Sequence, residues 1–322
     1  MQESGITDKD TVLILGATGF VGSRLIPVLA EKGLKMRLLV RDPSKVSGIA
    51  AAGKDLEIKQ GDLLSGEGLE EALEGIHTAY YLVHSMGGKS VFQNREYADK
   101  DRKAVENFVG AADGAGLKRV IYLGALGEKG EDLSEHLKSR GEIADILSSG
   151  KAAATVLRAA IIIGAGGASF EMLRYLVERL PVMVCPKWIE TRIQPIALRD
   201  VIAYLVGCLL KLETAGRAFD IGGPDILTYR EMMQQYAEAR GLAQRLIITV
   251  PLLTPLLSAY WVDLVTPISS GIAHPLIEGL KNEVICKESS IEKLIPITKT
   301  PFTDAVRIAV SEEKEGPGVK GF

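Results

Sequence analysis

TVLILGATGFVG, Thr11 to Gly22, runs from five apolar or β-branched residues directly into three glycines spaced for a sharp strand-to-helix turn. TVLIL reads as a strand buried on both faces, the setting of a parallel sheet covered by helices. In the loop, Gly16 takes the tight turn, Gly19 lets the backbone approach a diphosphate, and Gly22 lets the next helix pack closely on the sheet. Free N–H groups at the start of a helix over Val21–Glu31 then meet the negative charge. A glycine triplet alone is weak evidence, but here strand, loop, helix and next strand follow in the order a dinucleotide site needs. The alternative is a turn that holds no ligand. Pro27 removes one backbone bond from the helix and should bend it.

Outward from this loop, apolar runs alternate with helical periodicity. Strands are expected at Thr11–Leu15, Met36–Val40, Leu56–Lys59, Thr78–Val83, Arg119–Leu123 and Thr155–Ile163. Helices are expected at Val21–Glu31, Gly68–Leu73, about 91–115 and Ser139–Leu147. The alternation predicts an α/β fold, a doubly wound parallel (Rossmann) sheet, with a smaller C-terminal lobe. Beyond residue 165 come a helix over Ser169–Arg179, another after Asp200, a strand Ala218–Ile221, and a helix opened by a Thr228/Glu231 capping box. The division predicted is a dinucleotide-binding domain over 8–240 and an apolar lobe over 241–322 facing substrate or a partner. The lobe should end in a helix from Thr303 and a frayed tail from Ser311.

Bulk properties remove several classes. The chain has 322 residues, 25% of them charged, and a net charge of −3, which gives no basic field for nucleic acid. Cys185, Cys208 and Cys286 lie far apart without metal-ligand spacing, and the N-terminus carries no apolar signal core. No metal and a reducing cytoplasm are expected. Leu246–Ile268 holds one charge, Asp263, and nearly reaches membrane-span length. Pro255 and Pro267 would each cost about 3 kcal/mol inside a helix, so broken elements on a buried or partner-facing wall are expected, with membrane-surface contact as the alternative.

The end of the second strand bears on cofactor choice. An acidic residue there would accept a bond from the ribose 2′-hydroxyl of NAD, but the sequence is VRDPSK. Arg41, helped by Lys45, offers cationic donors suited to a 2′-phosphate, while Asp42 sits one residue late. NADP is therefore expected over NAD.

GATGFVG, VRDPSK, GDL (Gly61–Leu63), LRAAIIIG (Leu157–Gly164), QPIALRDV (Gln194–Val201) and FDIGGPDILTYREM (Phe219–Met232) together resemble the extended and atypical short-chain dehydrogenase/reductase family. The resemblance covers about residues 10–240 and is nearest an atypical subgroup carrying YYLVHSM, Tyr80 to Met86. It extends distantly to nitrogen-metabolite-repression regulators and to the dehydrogenase-like accessory subunit of respiratory complex I. It implies a cofactor site built from Gly16, Thr18, Gly19, Phe20, Val21, Gly22, Arg41 and Lys45. It also implies that Asp62 and Leu63 lie at the adenine, with Leu82, Val83 and His84 beside the cofactor. His84 has an alternative as a structural histidine.

Catalytic members of the family use a Ser or Thr at the end of the fifth strand and a Tyr-x-x-x-Lys pair after it. Here Gly124 or Ala125 stands at the first position, and His136 and Arg140 stand at the pair. Three roles remain open for the pair: holding cofactor and substrate, with Arg140 on the ribose; proton transfer by His136; or an ordinary surface pair. Tyr80, Tyr81 and Tyr122 are further candidates, with core packing as their alternative. Two functions follow. One is an NADP(H)-dependent oxidoreductase or isomerase acting on a small apolar substrate. The other is a non-catalytic nucleotide-sensing regulator or assembly factor that docks on a protein or membrane surface.

Overall fold

The computed structural model describes residues 6–7, 9–46, 48, 55–84, 94–127, 135–250 and 262–315. Its strands are β1 Thr11–Leu15, β2 Lys35–Val40, β3 Leu56–Gln60, β4 Ile76–Tyr81, β5 Arg119–Ala125, β6 Ala153–Ala159, β7 Ile162–Ile163, β8 Val182–Pro186, β9 Arg192–Ile193, β10 Ile196–Ala197, β11 Ala218–Ile221, β12 Leu227–Thr228 and β13 Leu246–Val250. Its helices are α1 Gly22–Glu31, α2 Leu69–Leu73, α3 Asn94–Ala115, α4 Glu135–Ser149, α5 Ala168–Arg179, α6 Leu198–Leu210, α7 Tyr229–Ala239, α8 Ser270–Gly279, α9 Ser290–Leu294 and α10 Phe302–Glu315.

Seven strands form one parallel sheet in the order β11-β6-β5-β4-β1-β2-β3. Helices cover both faces. Leu25 and Ile26 of α1 and Val201 and Leu205 of α6 share one apolar cluster with Val12, Ile14 and Tyr80. Val105 and Phe108 of α3 and Ile143 of α4 share the other with Leu13, Leu15 and Tyr81. Consecutive strand residues thus face opposite layers, which is why the strand sequences carry almost no polar alternation. The strand order reverses between β1 and β4, and a crevice opens beyond their carboxyl ends.

A third cluster joins Phe170 and Leu173 of α5, Tyr229 and Tyr236 of α7, Ile277 of α8 and Val306 of α10. The capping box at Thr228 is formed: its N–H donates to Glu231 Oε2 at 2.7 Å, and the Glu231 N–H returns a bond to Thr228 Oγ1 at 3.1 Å. In α1 the helix runs on through Pro27 to Glu31.

Several boundaries differ from the sequence expectation, among them the start of α4 at Glu135 in place of Ser139 and three more. The strand expected over Thr155–Ile163 breaks after Ala159, because Ile162 and Ile163 leave the main sheet to pair with Ile196 and Ala197. β4 stops at Tyr81, so Leu82 and Val83 lie in the loop beyond it. The last helix continues through Ser311 to Glu315, where a frayed tail was expected; Arg174 Nε holds Glu313 Oε1 at 3.3 Å and anchors that turn. Residues 316–322 lie outside the described residues. Of the apolar stretch 246–268, Leu246–Val250 forms β13, paired in parallel with β8, and 251–261 lie outside the described residues. No helix among the described residues is long and apolar enough to cross a membrane.

Candidate functional site

The glycine loop leaves β1 at the crevice. Gly16 has φ +88°, and a Cβ there would lie 2.6 Å from the Leu82 carbonyl oxygen, so only glycine fits without moving β4. The turn closes with the Gly19 N–H donating to Gly16 O at 3.0 Å. A Cβ on Gly22 would collide with the Gly16 carbonyl, which keeps the start of α1 tight against the strand end. Leu82 N–H donates to Leu15 O at 3.0 Å, tying the segment after β4 to the same loop. The start of α1 closes on the loop, with Ser23 N–H donating to Gly19 O at 3.0 Å and Leu25 N–H to Val21 O at 3.0 Å, and the helix dipole directs positive potential toward the crevice that Gly19, Phe20 and Val21 line.

A cavity of about 350 Å³ fills the crevice, lined by Gly19, Phe20, Val21, Leu82, His84 and Arg140 among others. Gly124 and Ala125 also line it, so no hydroxyl stands where the resemblance would place a Ser or Thr. The opposite wall is the loop 164–168, seated against Phe20: a Cβ on Gly167 would meet the Phe20 ring at 2.8 Å. Arg24 stacks over that ring at 5.4 Å and donates to Ala165 O at 2.8 Å, pinning the wall to the glycine loop.

The other expected residues are placed as follows. Thr18 is exposed in the glycine loop. Arg41 and Lys45 are exposed at the end of β2, whereas Asp42 is held locally, its Oδ1 accepting from Ser44 N–H at 3.1 Å and from the Ser44 hydroxyl at 2.6 Å. These bonds stabilise the ionised carboxylate and lower its pKa. Asp62 accepts from Leu64 N–H at 2.8 Å, a turn fixed further by Asn107 donating to Leu63 O at 2.8 Å. Leu63 is buried in the core, and Val83 packs on that same layer. Tyr80, Tyr81 and Tyr122 are fully buried; Tyr80 donates to Leu205 O at 2.9 Å, and Tyr81 packs against Phe108 and Tyr122. His136 falls in the first turn of α4, and its side chain lies outside the described residues.

Arg140, one turn further on, reaches the cavity. Its Nη1 donates to Leu123 O at 3.4 Å, and its buried Nε has no hydrogen-bond partner among the described residues. Arg140 lines the cavity wall, which brings a fixed guanidinium charge to the place where the ribose of a dinucleotide seated on the glycine loop would lie. The glycine cradle, the helix start and this cation fit the phosphate–ribose core of such a cofactor.

His84 lines the same cavity, with its Nδ1 3.1 Å from Asp101 Oδ2. Burial, reinforced by the Arg140 cation and opposed by Asp101, pushes its pKa down to about 4. The folded protein thus holds His84 neutral while the unfolded chain protonates it below about 6.5. Stability should be fully present above pH 6.5 and fall as the pH drops from 6.5 toward 4, by up to about 3 kcal/mol from this group. Urea unfolding of wild type and His84→Asn at pH 7.0 and 4.5 checks this. The variant should lose less stability between the two pH values, and equal losses would contradict it.

Asp101, Ser169 and the loop 164–168 were not read from the sequence as site residues. Their only local signal is the run of small residues GAGGAS after β7, which lets the wall approach Phe20.

A family model described as NAD(P)H-binding matches residues 16–162. Ceramide reductase of Caulobacter vibrioides is 29% identical over 245 residues, 74% of this chain and 73% of that protein. A 3 beta-hydroxysteroid dehydrogenase/Delta 5→4-isomerase of Mycobacterium tuberculosis is 32% identical over 122 residues, 36% of this chain; the match spans 32% of that protein's length. An NADPH-dependent quinone oxidoreductase of Escherichia coli, solved with NADPH, superposes with a TM-score of 0.71 at 20% identity, covering 92% of this chain and 98% of that one.

Proposed function

We propose, for a chain that belongs to the NAD(P)-binding Rossmann-like family, that it is an NADP(H)-dependent oxidoreductase acting on a compact, largely apolar carbonyl or quinone. The observation that carries this reading is that a second, smaller and apolar cavity lies directly against the crevice. The two share Ala125, Ala159, Ala160, Ser169 and Leu276, at the end where the fifth and sixth strands deliver their last residues. Bound in the crevice, the reduced nicotinamide supplies a hydride. Gly19, Phe20 and Val21 hold the phosphates, and Arg140 holds the ribose while its fixed charge stabilises negative charge developing on a reduced oxygen. The names of the relatives, a ceramide reductase and a hydroxysteroid dehydrogenase, agree in pointing to apolar substrates. A reducing cytoplasm is part of this reading, in keeping with the free thiols Cys185, Cys208 and Cys286.

The test is anaerobic mixing of NADPH-loaded protein with quinones, ketones and enones while following cofactor absorbance. Oxidation of NADPH by at least one acceptor is expected. Stable binding without turnover across the panel would overturn the enzyme reading.

The choice of NADP rests on Arg41 and Lys45, which are exposed at the end of β2, and on Asp42, whose carboxylate is occupied by Ser44. Arg41→Ala should weaken NADPH binding by about tenfold or more, the scale of a charge-assisted contact, and leave NADH binding unchanged. Equal loss for both cofactors in calorimetric titrations would remove the 2′-phosphate assignment.

A second reading, a non-catalytic regulator or assembly factor, draws on one feature. Val182 and Val184 of β8 pair with Leu246 and Ile248 of β13, and all four are exposed side by side, an apolar strip suited to a protein or membrane surface. The same panel separates the two readings.

A further inference from the structure

The chamber beyond the crevice has a volume of about 90 Å³ and is walled by Leu126, Leu137, Met172, Leu280 and other apolar or small residues. Ser169 is the one hydroxyl-bearing side chain, among the described residues, on the linings of both the crevice and the chamber. A serine within a helix ordinarily returns its hydroxyl to a carbonyl one turn back, as Ser148 does to Ala144 at 2.7 Å and Ser311 to Ile308 at 2.8 Å. Ser169 is the second residue of α5, so the carbonyls three and four residues back, those of Gly166 and Ala165, lie outside the helix, and that of Ala165 already accepts from Arg24. Half-buried, Ser169 thus stands where the two linings meet.

We propose that Ser169 binds the substrate directly, donating a hydrogen bond to its carbonyl oxygen at the mouth of the chamber, and that the substrate carries a short alkyl arm that fills the chamber. The size argument is simple. A closed cavity of about 150 Å³ accepts a benzene ring, so a partly open pocket of about 90 Å³ suits a short straight or branched alkyl group better than an aryl one. The polarity argument is complementary. With the other lining residues apolar, one hydroxyl at the mouth fixes which end of a ketone enters and leaves its oxygen in the crevice that Arg140 also lines. This inference rests on the oxidoreductase reading for its meaning, but binding alone tests it.

The experiment follows the ε-methyl resonance of Met172, which lines the chamber, in NADP⁺-loaded protein carrying labelled methionine, titrated with 2-pentanone and with acetone. Wild type should bind 2-pentanone on the order of tenfold tighter than acetone, from two buried methylenes. Ser169→Ala should weaken both ketones about fivefold with their ratio kept, as expected for one lost hydrogen bond, and Ser169→Thr should restore most of the loss. Ala160→Leu, which narrows the shared mouth at a half-buried position, should erase the preference for the longer ketone. Unchanged ketone affinities in Ser169→Ala, or a Met172 signal unmoved by 2-pentanone in wild type, would overturn the proposal. If the titrations behave as expected while no acceptor oxidises NADPH, the oxidoreductase reading falls and the ketone site stands. If acceptors turn over and Ser169→Ala binds ketones normally, the reverse holds.

Discussion

Gly19→Val is expected to reduce NADPH affinity by about a hundredfold while leaving the chain folded, roughly 3 kcal/mol taken from the diphosphate contact. The selectivity comes from where the new atoms go. A Cβ on Gly19 would lie 3.1 Å from Gly16 O, a tight but adjustable approach, while the rest of the valine would occupy the wall of the crevice where the phosphates sit. Gly16→Ala provides the contrast. Its backbone is left-handed, at φ +88°, and the added carbon would lie 2.6 Å from the Leu82 carbonyl oxygen, so the damage falls on the junction of β1 and β4. That variant should lose on the order of 3 kcal/mol of stability as well as cofactor. Urea unfolding and calorimetric titration on both variants separate the effects. A Gly19→Val protein that binds NADPH like wild type would show that the loop is only a turn.

Arg140→Met should lower kcat/KM for NADPH oxidation by about a hundredfold, the range seen when one preorganised donor to a developing oxyanion is removed. Its side chain spans the wall between Leu123 and the cavity, and methionine keeps most of that packing without the charge. A second readout tests the electrostatics independently of turnover. The Arg140 cation helps hold the His84 pKa down at about 4, so removing it should raise the His84 midpoint toward 6.5, and only in part because burial is the larger cause. Proton NMR of the imidazole follows that midpoint. An unshifted His84 would mean that the guanidinium does not act on the crevice, and unchanged kcat/KM would remove Arg140 from the chemistry.

The sheet was legible because its strands are buried on both sides: TVLIL and RVIYL leave no choice of face, and a run of apolar residues between turns specifies a central strand. The glycine loop was legible because steric need writes itself as glycine at fixed spacing, here Gly16 at positive φ and Gly22 against its carbonyl. What sequence could not give is what long-range packing decides. Arg119 opens an apolar strand yet is buried, bonded to Thr155 at 3.0 Å and to Thr214, partners 36 and 95 residues away. The Asp101–His84 contact joins α3 to the segment after β4, and Ser169 lines the crevice from the helix that follows β7, a strand that pairs with β10 outside the main sheet. Tyr80 and Tyr81 show the opposite case: neighbours on a strand point to opposite faces, and these two lie in the two different clusters that cover the sheet.

The most direct test of the central claim, that the crevice past β1 and β4 holds one dinucleotide per chain, is a calorimetric titration of wild type with NADPH, run beside Gly19→Val. Saturable heat at one equivalent in wild type, strongly diminished in the variant, is the predicted result. No heat from wild type up to millimolar NADPH would contradict it.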